Sequence, residues 1–136
     1  MSIGHGCANI CFNRRQYIDG AVEMVWGKNR YRSKDWGPVD PEIGVWRLYE
    51  IDGRPLALLA NYACHPVVMG KSNLQLTADF PGAALDYFTE QFPGVTPFFL
   101  QGGCGDLDPY IDVQDDFAAV QTQGQELGRD IARLFR

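Results

Sequence analysis

The chain has 136 residues, 46% of them hydrophobic and 21% charged, with a formal net charge of −5. That is enough for one domain with its own core, and the composition is ordinary for a globular protein. The acidic balance argues against nucleic acid, whose binding relies on Lys and Arg clusters, and no apolar run approaches the ~20 residues of a membrane helix.

The N-terminus, MSIGHGCANICFNRR, lacks the basic start and apolar core of a signal peptide. As written, the chain is expected in the cytoplasm. A strand is predicted over 8–14, ANICFNR. Residues 16–42 are rich in Gly, Asp, Pro, Trp and Tyr with weak periodicity, which predicts a long loop of the kind that often carries function. Trp26, Tyr31 and Trp36 in it are candidates for lining a groove or for anchoring the loop.

The pattern then sharpens. GVWRLYEI alternates, Asp52-Gly53 is a strong hairpin turn, and LALLANYA over 56–63 returns as a nearly continuous apolar run. Such a run suits a strand covered on both faces. TADFPGAALDYFTEQFPG predicts a helix with Asp79 as N-cap, Pro81 in the first turn, and Pro93-Gly94 as its stop. TPFFLQ over 96–101 predicts another buried strand, followed by the glycine-rich loop GGCGDLDPY. Residues 114–136 predict an amphipathic helix with Phe117, Val120, Leu127, Ile131 and Leu134 on its apolar face. Gly124 and Gly128, one turn apart, imply a close packing contact, which we expect against the sheet. Gln123 falls on the polar side.

These elements predict a single α/β domain over 1–136: a mixed sheet with a β-hairpin at 44–63 and a β-α-β-α segment, helices packed on the sheet. The strand-helix-strand order implies a parallel pair with a right-handed crossover. Ligands in such sheets lie beyond the carboxyl ends of the strands. His65 follows one of these strands and Gly102 to Asp108 the other, so both are expected at one edge of the sheet.

Each candidate has two readings. His65 is either a metal ligand facing the crevice or a buried histidine bonded to a backbone carbonyl. Asp106 and Asp108 are either a metal-binding or acid–base carboxylate pair, or ordinary turn residues. Gly102, Gly103 and Gly105 either aim backbone N–H groups at a substrate anion or simply form a flexible turn. Arg14 is either a clamp for a carboxylate or phosphate or a surface ion-pair partner. The cysteines, Cys7, Cys11, Cys64 and Cys104, form no C-x-x-C motif and read mainly as buried thiols; Cys104 is also placed to approach His65 as a nucleophile.

Five stretches in order, NRR, PVDPEIGVWRL, NYACHPVVMG, TADFPGAA and QGGCGDLDP, resemble the N-terminal domain of the neutral/alkaline, non-lysosomal ceramidases. The resemblance runs from about Asn13 to Pro109. It implies a zinc-dependent amidase acting on the N-acyl bond of a sphingolipid, with zinc held by two histidines, a glutamate and a tyrosine. His65 matches the second of those histidines, Arg14 resembles an arginine near the substrate, and Asp108 stands where the ceramidases carry their serine nucleophile. The other ligands are expected outside residues 1–136, which makes the chain the middle of a larger catalytic domain or a reduced relative of it. The function expected is a metal-assisted, ceramidase-like amide hydrolase module whose catalytic site is incomplete within residues 1–136, with a lipid or other amide as substrate and with zinc, implied by the resemblance alone, either as cofactor or lost. The alternative is a non-catalytic remnant that assembles with a complementing chain or with itself.

Overall fold

The computed structural model describes residues 1–27 and 37–136. In chain order the elements are β1 (Ser2–Cys7), β2 (Cys11–Asn13), β3 (Arg15–Ile18), β4 (Ala21–Met24), β5 (Glu42–Tyr49), β6 (Pro55–Tyr62), α1 (Asp79–Gln91), β7 (Thr96–Gln101), β8 (Leu107–Pro109) and α2 (Phe117–Phe135). Strands β1, β5, β6 and β7 form one sheet in that order. The first three are antiparallel neighbours, and β7 joins β6 in parallel after the crossover through α1. The α/β class, the mixed sheet and the β-α-β-α segment are therefore as expected.

The hairpin turns where the sequence places it. Gly53 adopts φ +86°, a conformation costly for any side chain, and the Asp52 carboxylate accepts from the Arg54 N–H at 3.1 Å. Its return strand differs from expectation. Leu58, Ala60 and Tyr62 are fully buried against the helices, but Leu56 is exposed and Leu59 only half-buried. β7 departs further: it is an edge strand, and Phe98 and Leu100 are exposed. Both helices lie on one side of the sheet, so among the described residues an apolar run that suits two covered faces has a helix layer on only one.

The expected strand over 8–14 is shorter, at Cys11–Asn13, and pairs with β8. The predicted loop over 16–42 contains a second hairpin, β3–β4, turning at Asp19-Gly20 with both residues at positive φ. An Asp-Gly pair between RQYI and AVEM is the same signal as at residue 52, masked by the surrounding polar residues. The rest of that loop, 28–36, with Tyr31 and Trp36, lies outside the described residues.

Helix α2 starts at Phe117, with Asp116 as its N-cap accepting from Ala118 N–H at 2.8 Å. Its buried stripe differs from the periodicity in three ways. Phe117 is partly exposed, Leu134 is half-buried, and Gln123 is buried because its Nε2 donates to the Ile10 carbonyl at 2.6 Å. Gly124 and Gly128 do not face the sheet; they face α1. A Cβ at Gly124 would lie 2.4 Å from the Ala83 Cβ, and one at Gly128 would lie 2.9 Å from the Ala84 carbonyl oxygen. The two helices thus touch nearly backbone to backbone.

Asp79 is not the N-cap of α1. Ala78 holds that position without a side-chain bond, and Asp79 sits at φ +52°. Its carboxylate accepts from Val68 N–H at 3.2 Å, Met69 N–H at 3.0 Å and Phe80 N–H at 2.7 Å. The loop leaving β6 has buried N–H groups that need an acceptor, and this demand outweighs a standard cap.

Candidate active site

The ends of β6 and β7 bring the predicted residues together. His65 lies three residues beyond β6, and its N–H donates to the Leu107 carbonyl at 2.9 Å, which fixes it to β8. Asp108 lies within β8, opposite Phe12 of β2. Arg14 follows β2; its N–H donates to the Asp106 carbonyl at 2.7 Å and its carbonyl accepts from Val25 at 2.7 Å. A short β2–β8 ribbon therefore carries Arg14 and Asp108 to the strand end where His65 stands.

Arg14 is the hub. Its Nη1 lies 3.3 Å from Asp108 Oδ1, and its Nη2 donates to His65 Nε2 and to the Gly105 carbonyl, both at 3.0 Å. Its side chain is 21% exposed and that of Asp108 only 3%. A guanidinium only donates, so the neutral His65 ring accepts at Nε2 and carries its proton on Nδ1. That nitrogen faces Cys104 Sγ at 3.4 Å. The His65 ring is thus neither bonded to a backbone carbonyl nor positioned to take the Cys104 proton, since the nitrogen toward the thiol already holds one.

Burial pushes the Asp108 carboxyl above its usual range; the Arg14 guanidinium opposes this, and the buried Asp112 nearby adds to it. Beneath the site, Cys11 accepts from the Tyr62 hydroxyl at 3.3 Å, and its thiol is lowered to about 7, chiefly by the neighbouring Cys64, while burial raises Cys64. Cys11 and Cys64 are buried, Cys104 is half-buried and Cys7 is exposed, so the expectation of buried thiols holds for two of the four.

Asp106 does not face Arg14's guanidinium. Its carboxylate accepts from Asn13 Nδ2 at 2.9 Å, and Asn13 also donates to the Pro38 carbonyl at 2.8 Å and accepts from Arg15 N–H at 2.9 Å. This pair locks the start of the arginine loop to the glycine loop. Gly102 N–H donates to the Tyr62 carbonyl at 2.9 Å, and a Cβ there would meet Ala63 at 3.0 Å, so this glycine serves strand contact. Gly103 and Gly105 have open space at the Cβ position. Asn13 and Asp112 were not singled out from sequence. Asn13 belongs to the NRR motif, and Asp112, which accepts from Gly27 N–H at 2.6 Å, carried no spacing signal.

A cavity of about 380 Å³ opens beside Arg14 and Asp108. Trp26, Val67, Met69 and Val113 form its apolar wall, and Lys71 stands at its rim. Trp26 is thus one aromatic of the expected groove. Among the described residues, no group of three or more His, Cys, Asp or Glu side chains is placed to hold a metal. His65 offers one imidazole, and its free lone pair faces a cation, so these side chains alone do not fit zinc.

The elements define an α/β domain with its crevice beyond the carboxyl ends of parallel strands. No family model matches the sequence. In three dimensions the chain is similar to a crystal structure of neutral ceramidase from Pseudomonas aeruginosa, with a TM-score of 0.70 at 17% identity, over 97% of this chain and 22% of that one. A ceramidase complexed with C2 gives a TM-score of 0.72 at 17% identity, over 97% of this chain and 21% of that one. The likeness is one of fold, and the chain spans about a fifth of the length of these solved ceramidases. Among the described residues no helix is long and apolar enough to cross a membrane.

Proposed function

We propose that the chain is the site-bearing module of a ceramidase-like hydrolase that cleaves N-acyl amides. The observation that carries this reading is the convergence of Arg14, His65 and Asp108 at the strand ends, on a fold shared with neutral ceramidase. Amide hydrolysis delivers a hydroxyl to the carbonyl carbon and a proton to the departing nitrogen. Arg14 stabilises the negative charge that grows on the carbonyl oxygen. Asp108, whose carboxyl is raised by burial, carries the proton. His65 and the Gly105 carbonyl aim the guanidinium, and the Asn13–Asp106 pair holds the two loops in register. Zinc enters this reading only with further ligands from outside these side chains and with Arg14 withdrawn from His65 Nε2; no step above uses it.

The test is release of free amine from short N-acyl amides by the 136-residue chain, with and without added zinc. Turnover that falls by about 100-fold in Asp108→Asn, at an unchanged unfolding midpoint, supports the reading. Equal turnover in that variant, or none under either condition, rejects it.

A second reading rests on the uncovered side of the sheet, where Ile3 and Phe98 are about half exposed. Here the chain works assembled with a complementing chain or a second copy. Sedimentation equilibrium decides: a strictly monomeric chain that is active alone rules this out.

A further inference from the structure

We propose that the cavity beside Arg14 takes a small amide bearing a single carboxylate, of the N-acyl amino acid type, rather than a two-chain lipid. The amide part of this assignment rests on the hydrolase reading; the pocket chemistry stands apart from it. Three observations carry it.

The first is charge. The chain is net acidic at −5, yet among the described residues this cavity is lined by two cations, Arg14 and Lys71, against one carboxylate, Asp108. With Asp108 ionised that leaves one positive charge, which matches a monoanion and undercompensates a phosphate dianion. Lys71 is exposed and has no ion-pair partner among the described residues. The contact of Arg14 with Asp108 is single and long, at 3.3 Å, which leaves its guanidinium able to share a second carboxylate. A carboxylate is the acceptor that a guanidinium and an ammonium share best.

The second is size and wall. At about 380 Å³ the cavity lies near the lower end of the ~300–1,000 Å³ typical of small-molecule sites. Trp26, Val67, Met69 and Val113 give it an apolar side for a short acyl chain or an amino-acid side chain. Two long chains would lie mostly outside that wall.

The third is strain. Val113 on the wall is held at φ +54°, a region unfavourable for a β-branched residue. Its N–H donates to the Val67 carbonyl at 3.2 Å, and Gln114 N–H donates to the Val68 carbonyl at 2.7 Å. The backbone is thus tied in a costly conformation at the point where the two wall segments meet.

Isothermal titration of the 136-residue chain with N-hexanoylglycine and with its uncharged amide, N-hexanoylglycinamide, tests the assignment. The carboxylate is expected to bind about tenfold more tightly. Lys71→Ala, an exposed change that leaves the fold intact, should remove most of that preference, and Trp26→Ala should weaken both ligands alike. Equal affinities, a preference that survives Lys71→Ala, or no binding of either ligand would overturn the assignment. Discriminating binding without amine release from either compound would leave the pocket assignment standing and sink the hydrolase reading instead.

Discussion

The two faces of the central sheet are built from similar side chains and have different fates. On the helix side, Ile43, Val45, Leu58, Ala60 and Tyr62 are fully buried under Phe80, Phe88, Leu127 and Ile131. On the other side, the paired row Ile3, Trp46, Leu59 and Phe98 runs across all four strands, with Ile3 49% and Phe98 51% exposed. Hydrophobicity by itself does not tell these faces apart. What separates them is a partner layer: α1 and α2 supply one side with interlocking aromatic rings, including Phe88 edge-on to Phe135 at 5.0 Å. Burial, and not the type of residue, sets how much each side chain contributes.

The largest effect expected from this contrast is loss of α2. Burying each of Leu127, Ile131 and Phe135 contributes roughly 1.5–3 kcal/mol, so together with Val120 they rival the ~5–15 kcal/mol net stability of a domain. A chain ending at Val113 should show no cooperative urea transition, while His65→Ala should lose only about 1 kcal/mol per hydrogen bond removed. An unchanged midpoint on truncation would break the comparison at its root.

Next in size is a pair of single substitutions. Phe88→Ala, in the ring cluster with Phe92 and Phe135, should cost about 3–5 kcal/mol. Phe98→Ser, on the exposed side, should change stability by no more than roughly 0.5 kcal/mol. Comparable losses in chemical denaturation would mean that the outer face is covered in solution, and would point to the assembly reading.

The smallest effect belongs to the seam where the sheet meets the site. The Asp108 carboxyl is raised in the folded chain, mainly by burial. Its contribution to stability is therefore complete below the unfolded value of ~3.9 and is lost as pH rises through the folded value. Asp108→Asn should accordingly be as stable as wild type, or slightly more so, at pH 7, with the difference closing toward pH 4. A less stable asparagine variant at neutral pH would show that the ion pair with Arg14 outweighs the burial.

The hairpin at Asp52-Gly53, both long helices and the parallel β6–β7 pair were legible because each rests on local chemistry: a turn dipeptide, stop residues and apolar periodicity. The same kind of signal at Asp19-Gly20 was obscured by a polar neighbourhood. At the site, His65, Arg14 and Asp108 were identifiable from their places after strands and in the ceramidase-like motifs. Their roles toward one another were not, because Arg14 and Asp108 are 94 positions apart. Nor was Gln123 readable as a core residue, since its carbonyl partner at Ile10 is 113 positions away.

Local patterns carried the hairpin at 44–63, the β6-α1-β7-α2 order, the class of fold and the strand ends that bear polar groups, because these depend on neighbours within a few residues; β1 and β8, which pair with distant strands, carried no such pattern. Long-range packing set the rest: the helices cover a single face, the glycines of α2 press on α1, and Asp79 ties a loop. It also decided that a guanidinium occupies the lone pair of His65. Each of these is a matter of which distant group satisfies a buried donor or fills a contact, and local propensity contains no term for that.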